Sequence, residues 1–91
     1  MTVLQQVKSS LGITSNSRDA DIQLAIDSAV QQMQMMGVEN VFDNDPHTVM
    51  CIIMYCRGFF NFQGDGDRYS DRFERMANGM ALAQEYRGEF E

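Results

Sequence analysis

Apolar residues recur along this chain at three- and four-residue spacings, the mark of helices that bury one face. No stretch alternates strictly between apolar and polar as a half-buried strand would. Leu4, Val7 and Leu11 predict a first helix over about residues 2–11. "GITSNSRD" interrupts it: Gly12 suits a helix C-terminus, and Ser15, Asn16 and Ser17 suit a turn followed by a new N-cap. Ile22, Ala25, Ile26, Ala29, Val30 and Met33 then form the clearest stripe in the chain, with Gln23, Asp27, Gln31 and Gln34 on the opposite face. Asp19 and Asp21 fall in the first turn of this second helix, about 19–36, where the helix dipole favours negative charge. Gly37 is placed to cap its end.

Val38, Val41 and Phe42 form a short apolar staple ahead of Asp45-Pro46. A capping acid followed by proline at the first helical position predicts the start of a third helix, about 46–60. Its body, "HTVMCIIMYCRGFF", is apolar nearly all round: Val49, Ile52, Ile53 and Cys56 make one face, while Met50, Met54 and Tyr55 cover much of the rest. Such a helix is expected to be buried on every side, either at the centre of a bundle or between subunits. A fourth helix, about 68–87, carries Tyr69, Phe73, Met76, Met80 and Ala83 on one stripe and charges on the other. The expected class is all-α: a compact bundle of about four helices with short connecting loops, forming a single domain over residues 1–91.

Length and charge narrow the functions. Ninety-one residues hold one core and leave no room for a second catalytic domain. No apolar run approaches the roughly 18 residues that suggest a membrane span, so no membrane partner is expected. The opening "MTVLQQVKSS" lacks the continuous apolar segment of a secretory signal. Two cations face six anions in residues 1–45 and five face seven in residues 46–91, for a net charge of -6 and a pI near 4.5. Nonspecific nucleic-acid affinity comes from neutralising phosphates, so a protein partner suits this balance better than duplex DNA. Cys51 and Cys56, five residues apart, point to different faces of one helix. They read as small core residues in a reducing compartment rather than a disulfide, redox or metal pair. Eight methionines are many for this length and suit either irregular core packing or a surface that repacks against partners.

The most chemical-looking stretch is "NFQGDGDRYSDRF", residues 61–73. A calcium-binding EF-hand loop needs oxygen ligands at positions 1, 3 and 5, glycine at 6 and glutamate at 12. Counting from Asp65 puts Tyr69 at the fifth place, Ser70 at the sixth and Met76 at the twelfth; counting from Asp43 puts His47, Thr48 and Met54 there. "GDGDRY" also lacks the lysine and preceding strand of a phosphate loop and offers two carboxylates where the anion would lie. Neither a metal nor a cofactor is therefore expected. One reading has Gly64 and Gly66 reversing the chain while Asp65 or Asp67 caps the fourth helix. The other has the loop meeting a partner, with Phe59, Phe60 and Phe62 as anchors. Arg68, Arg72 and Arg75 share a helix face. Asp71, four residues before Arg75, and Glu74 supply internal ion pairs for that face, and contact with an acidic neighbour or DNA is the alternative. His47 stands alone in the first turn of its helix, without zinc-ligand spacing to any partner, and no nucleophile, base and acid come together, so no enzyme is expected.

The order of elements resembles a known family. "VLQQVKSSLGI" and a polar turn, the amphipathic "DADIQLAIDSAV", a "DP" start to an apolar helix ending "MYCRG", and a last helix "FERMANGMALAQEYRG" together resemble the small head-tail connector proteins of tailed bacteriophages and prophages, over roughly residues 3–87. The matching positions include Val7, Lys8, Leu11 and Ile13, then Asp19 and Asp21, then Tyr55 and Arg57, and finally Tyr86 and Arg87. The Gly-Asp-Gly-Asp loop and the "GEFE" tail depart from the usual pattern and leave the partner surface open. The resemblance implies a noncatalytic ring-forming subunit beneath the portal protein. Such a ring extends the channel through which DNA passes, without sequence-specific binding, and docks the next neck or tail component. Its place would be the virion head-tail junction, after assembly in the bacterial cytoplasm. A small acidic protein-binding regulatory or adaptor domain, acting as monomer or dimer, is the alternative. A helix-turn-helix DNA binder is disfavoured by the sign of the charge.

Overall fold

The computed structural model describes residues 2–38, 41, 45–60, 64 and 66–83. These form four helices, α1 (Val3–Leu11), α2 (Asp19–Met35), α3 (Pro46–Phe60) and α4 (Gly66–Leu82), and no strand is present among them. The all-α class read from the periodicity is the observed one.

Local chemistry sets several of the helix ends. At α1, Thr2 Oγ1 accepts from the Gln5 amide at 3.1 Å and the Gln5 side chain accepts from the Thr2 amide at 2.9 Å, a reciprocal capping box. Both glycine stops are of one kind. Gly12 sits at φ 74°, with its amide donating to Ser9 and that of Ile13 donating to Lys8. Gly37 sits at φ 106°, with its amide donating to Gln34 and that of Val38 donating to Met33. These paired bonds satisfy carbonyls that the helix leaves open, and the positive φ explains why glycine holds both places. At α3, Asp45 Oδ2 accepts from the Thr48 amide at 3.0 Å and the Thr48 hydroxyl at 3.1 Å, so the one buried polar residue among those described is satisfied.

Two starts differ from the sequence expectation. No serine or asparagine side chain caps α2, whose N-cap residue is Arg18. The candidate groups are engaged elsewhere: Ser15 Oγ bonds Ser17, and Asn16 Oδ1 accepts from Lys8 Nζ at 2.8 Å. Lys8 also pairs with Asp19 at 2.8 Å, tying the start of α2 back to α1. The fourth helix begins at Gly66 rather than 68, which puts Asp67 inside its first turn instead of at its cap. Asp65 lies outside the described residues, as do Phe42 and the stretch from residue 84 onward.

α3 lies in the middle and touches each of the other helices. Its Cys51, Ile52 and Cys56 meet Val7 of α1, the α2 stripe of Ile22, Ala25, Ile26, Ala29 and Met33, and Phe73, Ala77 and Met80 of α4 in one core. Fully burying a side chain such as Ile22, Met33 or Ile52 contributes about 1.5–3 kcal/mol. The methionines divide: Met33 and Met80 are core, whereas Met35 and Met50 stay 76% and 47% exposed. α3 is not covered all round within the protomer, because three helices cannot enclose a fourth, and Phe59 is 60% exposed.

α3 and α4 lie close together at Gly58. A Cβ there would stand 2.6 Å from Ser70 Oγ and 3.2 Å from both the Gly66 carbonyl oxygen and the Ser70 amide nitrogen. Gly58→Ala is therefore expected to destabilise the protein by about 1–3 kcal/mol in chemical denaturation. Combining it with Ser70→Ala should recover part of that loss, since the nearest obstacle is the serine hydroxyl. Unchanged stability of Gly58→Ala would show that the helices cross elsewhere.

Candidate interaction surface

At 100° per residue, α3 turns Met50 and Phe59 to opposite sides of its axis. On the side of Met50, Ile53 and Arg57, a groove of about 290 Å³ lies between α1 and α3, lined by Gln6, Pro46, Val49, Met50 and Ile53. On the other, a groove of about 220 Å³ is lined by Gln32 of α2, Tyr55 and Phe59 of α3, and Ser70, Phe73 and Glu74 of α4. An aromatic chain floors this second groove. Tyr55 packs edge-on to Phe73 at 5.0 Å between centroids and stacks with Phe59 at 6.3 Å, and Phe59 meets Phe60 edge-on at 5.1 Å. Aromatic pairs of this geometry add about 0.5–1.5 kcal/mol beyond area burial, so Phe59 is held in place although much of its ring faces water.

The first side also gathers positive charge. Arg57 reaches from α3 to the end of α1, where one guanidinium nitrogen donates to the Ser10 carbonyl at 3.3 Å and lies 3.4 Å from its hydroxyl. That carbonyl belongs to the last turn of α1, where a helix lacks donors and favours a cation. The same guanidinium sits 4.5 Å from the centre of the Tyr69 ring on α4, joining three helices through one side chain. Arg68 and Arg72 flank the same ring at 5.5 and 5.8 Å.

The residues singled out in the sequence therefore do not form one patch. Phe59 is exposed and Phe60 partly buried beneath the Arg18 guanidinium, 5.4 Å above its ring, while Phe62 and Asp65 lie outside the described residues. Arg68 and Arg72 stand by Tyr69, away from the Phe59 groove. Arg75 pairs with Asp71 at 3.1 Å, as its spacing suggested, with the two side chains 80% and 55% exposed, a contact worth little in water. Arg57 and Tyr69 were not singled out as contact residues. Tyr69 reads as one more member of the α4 stripe; Arg68 and Arg72 are its neighbours on the same helix, and the packing of α3 against α4 adds Arg57 to them. Among the described residues, no three His, Cys, Asp or Glu side chains come together to hold a metal ion.

A family model described as phage connector protein matches residues 3–87, nearly the whole chain. The chain belongs to the phage connector protein family. That is a structural protein family, and membership implies virion partners. No curated protein and no solved structure matches the chain significantly. No helix among the described residues is long and apolar enough to cross a membrane.

The two thiols belong to the core beneath these surfaces rather than to either groove. Burial pushes both Cys51 and Cys56 from the ordinary 9.0 up to about 12, because the low-dielectric interior penalises the thiolate. Iodoacetamide at pH 8 should thus leave both unmodified in the native connector and label both in denaturant, as read by mass spectrometry. Their folded pKa values exceed the unfolded ones, so their contribution to stability is complete below about pH 9 and lost as pH rises toward about 12. Rapid labelling of either thiol in the folded protein would show that the core opens.

Proposed function

We propose that the protein is a noncatalytic head-tail connector subunit acting as one helical domain over its whole length. Copies form a ring beneath the portal protein, extend the DNA channel and dock the next neck or tail component at the virion junction, after assembly in the host cytoplasm. Family membership supports the class of function. The observation that carries the assembly is α3 itself, which leaves apolar side chains uncovered on two opposite sides, at Met50 and at Phe59. Subunits related by rotation around a ring make head-to-tail contacts, in which one face buries against a different face of the next copy. A symmetric dimer would need only one self-complementary patch. The acidic charge also suits a channel wall, since a surface that binds phosphates poorly lets DNA slide.

Purified protein at high concentration, or mixed with its portal protein, should form a high-order oligomer visible by electron microscopy and light scattering. Phe59→Asp should weaken it by about tenfold or more in concentration without changing the helical circular dichroism, because a partly exposed aromatic anchor is replaced by a charge that resists desolvation. Strictly monomeric or dimeric behaviour at every concentration, with no portal binding, would favour a regulatory or adaptor domain instead.

A further inference from the structure

Arg57, Arg68 and Arg72 converge on one tyrosine ring at 4.5, 5.5 and 5.8 Å, in a chain whose net charge is -6. An aromatic ring has two faces, so it cannot seat three cations equally well. Among the described residues, none of the three guanidinium groups pairs with a carboxylate, although acids outnumber bases along the chain. On the far edge of the same helix, Asp67 and Glu74 lie seven residues apart on one line, both exposed and neither in an ion pair among the described residues. α4 thus carries a basic edge toward α1 and an acidic edge toward the Phe59 groove, where Glu74 forms part of the lining.

We infer that the basic cluster of Arg57, Arg68 and Arg72 is the receptor for a second copy of this chain, whose Asp67 and Glu74 supply the missing negative charge. The inference rests on the ring reading and specifies which sides meet. Phe59 and Arg57 are two residues apart on α3, about 3 Å along its axis, and point to nearly opposite sides. A neighbour at the same height brings its Phe59 beside Tyr69 as its Glu74 reaches the guanidinium groups. The opposed charges lie on different sides of one protomer, so they fix a head-to-tail order and place like charges together in the reversed one. A nucleic-acid phosphate would also satisfy the arginines. The acidic edge favours the second copy, because it is equally uncompensated and is present on every subunit.

The test uses two full-length variants, Arg68→Glu/Arg72→Glu and Asp67→Arg/Glu74→Arg, with Arg68→Gln/Arg72→Gln as a milder control. Circular dichroism melts check that each folds. Each charge-reversed protein alone should assemble at least about tenfold less well than wild type, and the glutamine variant should show a smaller loss in the same direction. An equimolar mixture of the two reversed proteins should regain high-order oligomers, because each then presents to the other the charge it lacks. Wild-type assembly should also weaken between about 50 mM and 500 mM salt as the contact is screened. Wild-type oligomers matched by undiminished oligomers of every variant would overturn this contact and leave the ring standing. A wild-type protein that never assembles would overturn both. Loss of duplex DNA retention in the arginine variants, with assembly intact, would assign the cluster to phosphate and overturn the contact with a second copy.

Discussion

The architecture turns on the close approach of α3 and α4 at Gly58, where a side chain even as small as a methyl group would strike Ser70 and crowd the backbone of Gly66. Interiors pack at crystal-like density, so the separation of two helices at their crossing decides which side chains fill the space on either side. Here the close approach lets Phe73, Ala77 and Met80 reach the Cys51, Ile52 and Cys56 face of α3. It also brings Tyr69 within reach of Arg57 and sets Ser70 beside the Phe59 groove. The core, the Tyr69 cluster and the Phe59 groove all depend on that one separation.

Arg57 then ties the crossing to the rest of the protomer. Its guanidinium serves the open end of α1 and the ring on α4 at once, a task suited to a planar group with five donors and poorly suited to a lysine. From the same last turn of α1, the Lys8–Asp19 pair links α1 to the start of α2 and stands where a serine or asparagine cap was expected. The chain uses two of its few cations as struts between helices.

Much of this fold is legible in the sequence because it rests on local rules. The glycine stops at Gly12 and Gly37, the Asp45-Pro46 start and the Ile22 to Met33 stripe depend on residues within a turn or two of one another. What sequence reading misses is relational. Asn16 and Ser17 look like helix caps until Lys8 and Ser15 take up their hydrogen-bonding groups. An all-round apolar helix looks enclosed until the count of its neighbours shows two sides left open. Tyr69 shows the same limit: its spacing marks it as apolar stripe, and the third arginine beside it, Arg57, appears only when α3 meets α4.

Segregated charge reconciles the acidic surface with assembly. Copies carrying -6 each repel one another in general, but at physiological salt that repulsion decays over about 8 Å, whereas groups brought into contact feel one another directly. A small basic edge on an otherwise acidic protomer can therefore decide orientation without reversing the net charge that keeps subunits apart when wrongly aligned. In the proposed ring the same arrangement would leave DNA facing fewer open cations among the described residues, since Lys8 is held by Asp19. In that ring the arginines that would otherwise grip passing phosphates would be turned to the neighbouring subunit, so one distribution of charge would serve both the closure of the ring and the free passage of its cargo.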